Sequence, residues 1–61
     1  MYTIGRESPE HDTLFYVARN RWSPEYPDAF KFETHKQAAD HLANIQRMNP
    51  DNEAYQAAHI I

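Results

Sequence analysis

The segment from about Thr34 to Met48 carries the clearest structural pattern of the sequence, that of a capped amphipathic helix. Gln37 follows Thr34 at the spacing of a capping box, in which the two side chains satisfy backbone N–H groups that the first helical turn leaves free. Apolar residues then recur at helical spacing, namely Ala38, Leu42 and Ile45. This narrow stripe predicts that the helix packs on other elements through one face.

Two stretches ahead of the helix have the composition of β-strands. Residues 2–4 and 13–19 are rich in β-branched and aromatic side chains, and the polar segment between them contains a proline, so we predict a β-hairpin. Residues 20–28 carry two prolines and are predicted to cross the molecule irregularly. Residues 29–32 form a short extended run into the helix.

The tail, residues 53–61, fits two structures. One set of residues has helical spacing (Ala54, Ala57, Ala58, Ile61), and another alternates as in a strand (Tyr55, Ala57, His59, Ile61). We favour a strand that returns to the hairpin, because one hairpin offers too little sheet to cover the helix. A second short helix, capped by Asp51 or Asn52, is the alternative.

The predicted architecture is one domain over residues 1–61, of the α+β class. A small antiparallel sheet of two to three strands carries the helix on one face, in a ββαβ-like order. At 61 residues the chain is near the lower limit for independent folding, where ordering entropy and apolar burial nearly balance, so we expect a homodimer.

The composition indicates a cellular location and disfavours one class of binding partner. The chain has no cysteine, which favours a reducing, cytoplasmic location, and no stretch resembles a signal peptide or a membrane span. Six Lys and Arg against nine Asp and Glu give a net charge of −3. This charge disfavours partners that are bound through phosphate groups, nucleic acids included.

No residue pattern indicates catalysis, a metal or a cofactor. The single glycine, Gly5, excludes a glycine-rich phosphate loop, and the serines at 8 and 23 each precede a proline, where turn formation explains them. The four histidines are His11, His35, His41 and His59. None stands four residues from another, so we interpret them as ordinary surface or boundary residues and not as metal ligands. Taken together, these patterns lead us to expect a protein that is not an enzyme.

The candidate partner-binding residues lie mainly in one irregular segment. Arg19, Arg21, Trp22 and Tyr26 are of the residue types enriched at binding hot spots, and Phe15 precedes them on a strand whose two faces are both apolar. In the alternative interpretation, Trp22 completes the core with Tyr26 as its edge partner. The uncovered strand face needs a loop, a second subunit or a partner.

A resemblance to small ββαβ proteins of bacteriophage and prophage genomes covers about two-thirds of the chain. It rests on Trp22, Ala29, Phe32, Thr34, Gln37, Ala38 and Leu42. The resemblance implies a sheet of two or three antiparallel strands with one helix packed on it, and an origin among phage accessory genes. From the candidate binding residues we predict a non-catalytic protein-interaction module. The resemblance and the small size extend this prediction to a phage-type accessory protein that inhibits a host protein, such as a CRISPR–Cas component. The alternative function is a single-stranded nucleic-acid-binding module that stacks bases on Phe15, Tyr16 or Phe30.

Overall fold

The computed structural model describes all 61 residues and contains a four-stranded antiparallel sheet and one long helix. The elements are β1 (Ile4–Arg6), β2 (Leu14–Ala18), β3 (Arg21–Ser23), a 3₁₀ turn (Tyr26–Asp28), α1 (His35–Met48), α2 (Glu53–Gln56) and β4 (His59–Ile60). The strand order is β3-β2-β1-β4. The α+β class is confirmed, whereas the prediction of two to three strands is too low.

The strand that the sequence did not predict is β3, which lies in the segment interpreted as irregular. It forms a hairpin with β2, in which Tyr16 lies opposite Trp22 and Phe15 lies opposite Ser23. Pro24 directly follows the strand, so its missing N–H removes no bond from the ladder. The strand order along the chain is therefore βββ before the helices, not ββ.

Helix α1 forms as predicted. The Thr34 hydroxyl accepts a hydrogen bond from the Gln37 backbone N–H at 3.1 Å, and the Gln37 side chain accepts one from the Thr34 N–H at 3.3 Å. Along the apolar stripe, Ala38 and Ile45 are buried and Leu42 is half-buried against the core. The stripe thus attaches the helix to the sheet.

The tail adopts both predicted structures in succession. Asn52, and not Asp51, caps α2 by accepting a hydrogen bond from the Tyr55 N–H at 3.3 Å. The helix ends after one turn, and β4 then pairs antiparallel with β1, where Ile60 lies opposite Ile4. The fourth strand is therefore supplied by the residues after α2.

Residues 29–32 run extended, as predicted, and connect two strands on the way to α1. The Phe30 N–H donates to the Tyr16 carbonyl at 2.9 Å, and Phe32 exchanges two hydrogen bonds of 2.8 Å with Tyr2. This segment joins β2 to the residues just before β1. It delivers the chain to the start of α1.

The core lies between the sheet and the helices, and aromatic rings fill much of it. Its buried members are Ile4, Tyr16, Phe32, Ala38, Ile45, Tyr55 and Ala58. Trp22, Leu42 and Ile60 pack against them while half-buried. Because side chains alternate along a strand, Phe15 and Ser23 point to the other face of the sheet.

Candidate functional site

Two of the predicted binding residues, Arg19 and Arg21, flank Asn20 where β2 connects to β3. We call residues 19–21 the β2–β3 turn, although Arg21 is also the first residue of β3. Both side chains are exposed. Between them, Asn20 adopts a left-handed conformation with φ of 58°, which asparagine tolerates better than most residues. The one ion pair of the structure within 4.0 Å joins Lys36 to Asp40, so neither arginine is neutralised by a carboxylate of its own chain.

A buried tyrosine from the other end of the chain fixes this turn. The Tyr55 hydroxyl accepts a hydrogen bond from the Asn20 backbone N–H at 2.8 Å and donates one to the Asn20 side-chain oxygen at 3.3 Å. Tyr55 itself is 1% exposed and sits on α2. The side-chain amide of Gln46 in α1 donates to the Tyr55 carbonyl at 3.0 Å, which attaches α2 to the long helix.

Trp22 lies on the helix side of the sheet and belongs to the packed interior. Its ring makes aromatic contacts with Tyr16 and Tyr55, with centroids 5.9 and 6.0 Å away. The Arg6 guanidinium, from β1, lies 4.9 Å from the centroid of the Trp22 ring, in cation–π geometry. The edge partners of Trp22 are therefore these tyrosines and not Tyr26.

Phe15 and Tyr26 meet on the opposite face of the sheet. Their rings pack edge to face with centroids 5.4 Å apart, and Tyr26 remains 48% exposed. The Lys31 ammonium lies 4.7 Å from the Tyr26 ring and donates to the carbonyls of the 3₁₀ turn and of Ala29. The loop after β3 thus covers β2 at Phe15, which is one of the three coverings that the sequence required.

The five predicted residues consequently form two groups, and a packed residue separates them. Arg19 and Arg21 share the β2–β3 turn, and Tyr26 with Phe15 forms the second group on the outer face. Trp22 lies on the helix side of the sheet. The three rings of the nucleic-acid hypothesis are likewise apart, because Tyr16 is buried on the helix side and Phe30 stands beside α1.

A small cleft lies beside the arginine turn, and the sequence did not predict it. Its volume is about 240 Å³. The lining residues come from β2, the turn, the end of α1 and α2, namely Tyr16, Arg19, Ile45, Met48, Asn49 and Tyr55. Of these, Arg19 was predicted to bind a protein partner, and Tyr16 was named only for the nucleic-acid alternative. We call this feature the Arg19 cleft.

The second surface depression is a shallow groove between α1 and residues 30–33. It is lined by Phe30, Lys31, Phe32, Glu33, Gln37, Asp40, His41, Ala43, Asn44 and Arg47. At its base the His41 ring nitrogen Nε2 lies 3.2 Å from the Tyr16 hydroxyl. Burial, and secondarily the neighbouring Tyr55, raises the pKa of Tyr16 above its ordinary value of 10.0, so this hydroxyl stays protonated at neutral pH.

The remaining histidines do not assemble into a site. His35 contacts the Tyr2 ring at 5.5 Å between centroids, and no group of three His, Asp or Glu side chains is placed to hold a metal ion. Neither helix has the length and apolar character that a membrane crossing requires.

Comparison with known proteins gives no match among protein-family models, curated proteins or solved structures. The likeness to small phage and prophage proteins therefore stays a prediction from the sequence.

Proposed function

We propose that this chain is a non-catalytic protein-interaction module that contacts its partner through the β2–β3 turn and through the loop after β3 that carries Tyr26, which we call the Tyr26 loop. The observation that carries the proposal is the turn itself. Arg19 and Arg21 are exposed and free of intramolecular carboxylates on a backbone that the Tyr55 hydroxyl holds in place. Because the backbone of the turn is already held, binding costs the freedom of the arginine side chains but little backbone freedom, which favours affinity.

Three properties support a protein as the partner. Arginine and tyrosine are enriched at protein interfaces, and Tyr26 presents about half of its surface beside two exposed prolines, Pro24 and Pro27. The net charge of −3 opposes binding to a long polyanion such as a nucleic acid, whose charges extend beyond the two arginines of the turn. On the phage resemblance alone, we extend the proposal to a host protein in the cytoplasm, with inhibition of a defence system such as CRISPR–Cas as its concrete form.

The test is affinity capture from a host lysate with two double variants. Arg21→Glu with Tyr26→Ala changes the proposed surface, and the matched control, Arg47→Glu with Phe30→Ala, makes the same kinds of change beside α1. All four positions are exposed, so both variants should keep a cooperative thermal transition. Captured proteins are identified by mass spectrometry and confirmed with purified components.

The proposal expects a discrete protein that the wild type and the control capture and the surface variant loses. Loss of capture by both variants, or by neither, contradicts the assigned surface. If the chain instead shifts labelled single-stranded RNA or DNA with an affinity that falls steeply as salt rises, the nucleic-acid function replaces it. Sedimentation of the chain alone tests the expected homodimer, and a change in mass with the surface variant would place the dimer contact here.

A further inference from the structure

We propose that the Arg19 cleft receives one large apolar side chain from an acidic segment of the partner, with the flanking carboxylates of that segment paired to Arg19. This inference rests on the proposed function and adds the chemistry of the bound segment. It concerns the cleft between the β2–β3 turn and the end of α1, not the Tyr26 loop.

The floor of the cleft is apolar although it is built from tyrosines. The Tyr16 hydroxyl is engaged with His41 at 3.2 Å, and the Tyr55 hydroxyl is engaged with Asn20 at 2.8 Å. Both phenol groups are thus already partnered inside the protein. Because Tyr55 is only 1% exposed, the carbon surface open to an entering group comes mainly from Tyr16, Ile45 and the exposed Met48.

The size of the cleft selects a single side chain. Its volume of about 240 Å³ lies below the range of about 300–1,000 Å³ that is typical of sites for drug-sized ligands. Met48 forms one side of the cleft and is 68% exposed. Because methionine is unbranched and adaptable, this side can adjust to leucine, phenylalanine or methionine anchors.

The charge at the rim selects an acidic segment. Asn49 is the other polar residue of the cleft, and its side-chain amide donates to the Ile45 carbonyl at the end of α1, at 2.9 Å. Arg19 is therefore the unpaired charged group at the rim, and Arg21 adds a second positive charge in the same turn. A guanidinium binds a carboxylate through two parallel hydrogen bonds, which orients the segment as well as attracting it.

The probes are N-acetylated, C-amidated pentapeptides titrated into the ¹⁵N-labelled full chain. One peptide has leucine between two pairs of glutamates, a second has alanine at the centre, and a third has leucine between two pairs of lysines. The acidic leucine peptide should shift the amide signals of Arg19, Met48, Asn49 and Tyr55 saturably. The alanine peptide should bind about tenfold more weakly, because most of the buried apolar surface is lost, and the lysine peptide should cause no saturable shift.

Arg19→Glu and Arg21→Glu form a matched pair of variants, since both reverse one exposed charge in the same turn. Only Arg19 lines the cleft. Arg19→Glu should therefore lower the affinity for the acidic leucine peptide by about fivefold or more, and Arg21→Glu should lower it less. Equal effects, equal binding of the alanine peptide, or an absence of shifts at the cleft would overturn the inference.

The peptide titration separates this inference from the proposed function. If the peptides fail while the Arg21 and Tyr26 double variant still loses its captured partner, the interaction module stands and the cleft does not serve it. If the peptides bind as expected but no protein partner is captured, the chemistry of the cleft stands and the proposed function fails.

Discussion

Removal of one buried hydroxyl, in Tyr55→Phe, should loosen the β2–β3 turn without opening the core. The Tyr55 ring is 1% exposed and packs against Tyr16 and Trp22, and phenylalanine keeps those contacts. What the substitution removes is the pair of hydrogen bonds to Asn20, at 2.8 and 3.3 Å. The left-handed backbone of Asn20 then loses the side chain that holds it.

The expected loss is about 1 kcal/mol, the typical net contribution of one intramolecular hydrogen bond. The bond to the Asn20 N–H is the stronger of the two by its length, and water can replace part of it because Asn20 is exposed. In a domain of about 60 residues, 1 kcal/mol lowers the melting temperature by about 4–8 °C. The backbone amide NMR signals of Asn20 and Arg19 should also broaden or shift, because the turn becomes more mobile.

The matched control is Tyr2→Phe, which removes the same atom from a tyrosine that is 38% exposed. Thermal unfolding followed by circular dichroism compares both variants with the wild type, and the control should melt within about 2 °C of it, as surface substitutions usually do. If the two variants melt together, or if faster amide exchange appears in α1 and not in the turn, the Tyr55 hydroxyl does not fix the turn. The β2–β3 turn would then not be a rigid binding surface.

Three further predictions concern stability. Thr34→Ala should cost about 1 kcal/mol by removing the helix cap, whereas Thr34→Ser keeps the accepting oxygen and should melt close to the wild type. Ala38→Asp should abolish the cooperative transition, because it places an unpaired charge at a fully buried position. Leu42→Asp should destabilise the protein less than Ala38→Asp, because position 42 is only half-buried. Because burial and then Tyr55 raise the pKa of Tyr16, its contribution to stability is complete below about pH 10 and falls as the pH rises further. Melting temperatures between pH 8 and 11 should therefore fall less in Tyr16→Phe than in the wild type.

Helix α1 could be predicted from the sequence because its cap and the spacing of its apolar stripe are both contained in the helical segment. The Thr34 and Gln37 pair closes the first turn through atoms three residues apart, which a sequence displays directly. In the tail, the spacing of the apolar residues did not decide between helix and strand. A helix of four residues followed by a strand of two is too short for either period to be distinguished in the sequence, and the observed structure uses both.

The β3 strand was not predictable in the same way, because its pairing depends on β2 and on the turn. Arg21, Trp22 and Ser23 form only three residues of strand beside a proline, with no alternation long enough to read. The left-handed Asn20 reverses the chain, and Tyr16 then lies opposite Trp22. Composition identified Arg19 and Arg21 as binding candidates, but their support comes from Tyr55, 35 residues beyond Asn20 in the chain.

Because the protein is small, some residues that stabilise its fold also line the proposed site. Only ten of 61 residues are buried, and three of them, Tyr16, Ile45 and Tyr55, belong to the core and also line the floor of the Arg19 cleft. Substitutions in that floor therefore change folding and binding together, so a loss of binding there does not by itself identify a contact. Arg19 differs from the floor residues, because it is exposed and unpaired and is the charged residue that lines the cleft without belonging to the core. For this reason the charge of Arg19, and not the shape of the floor, is the decisive variable in a test of the cleft.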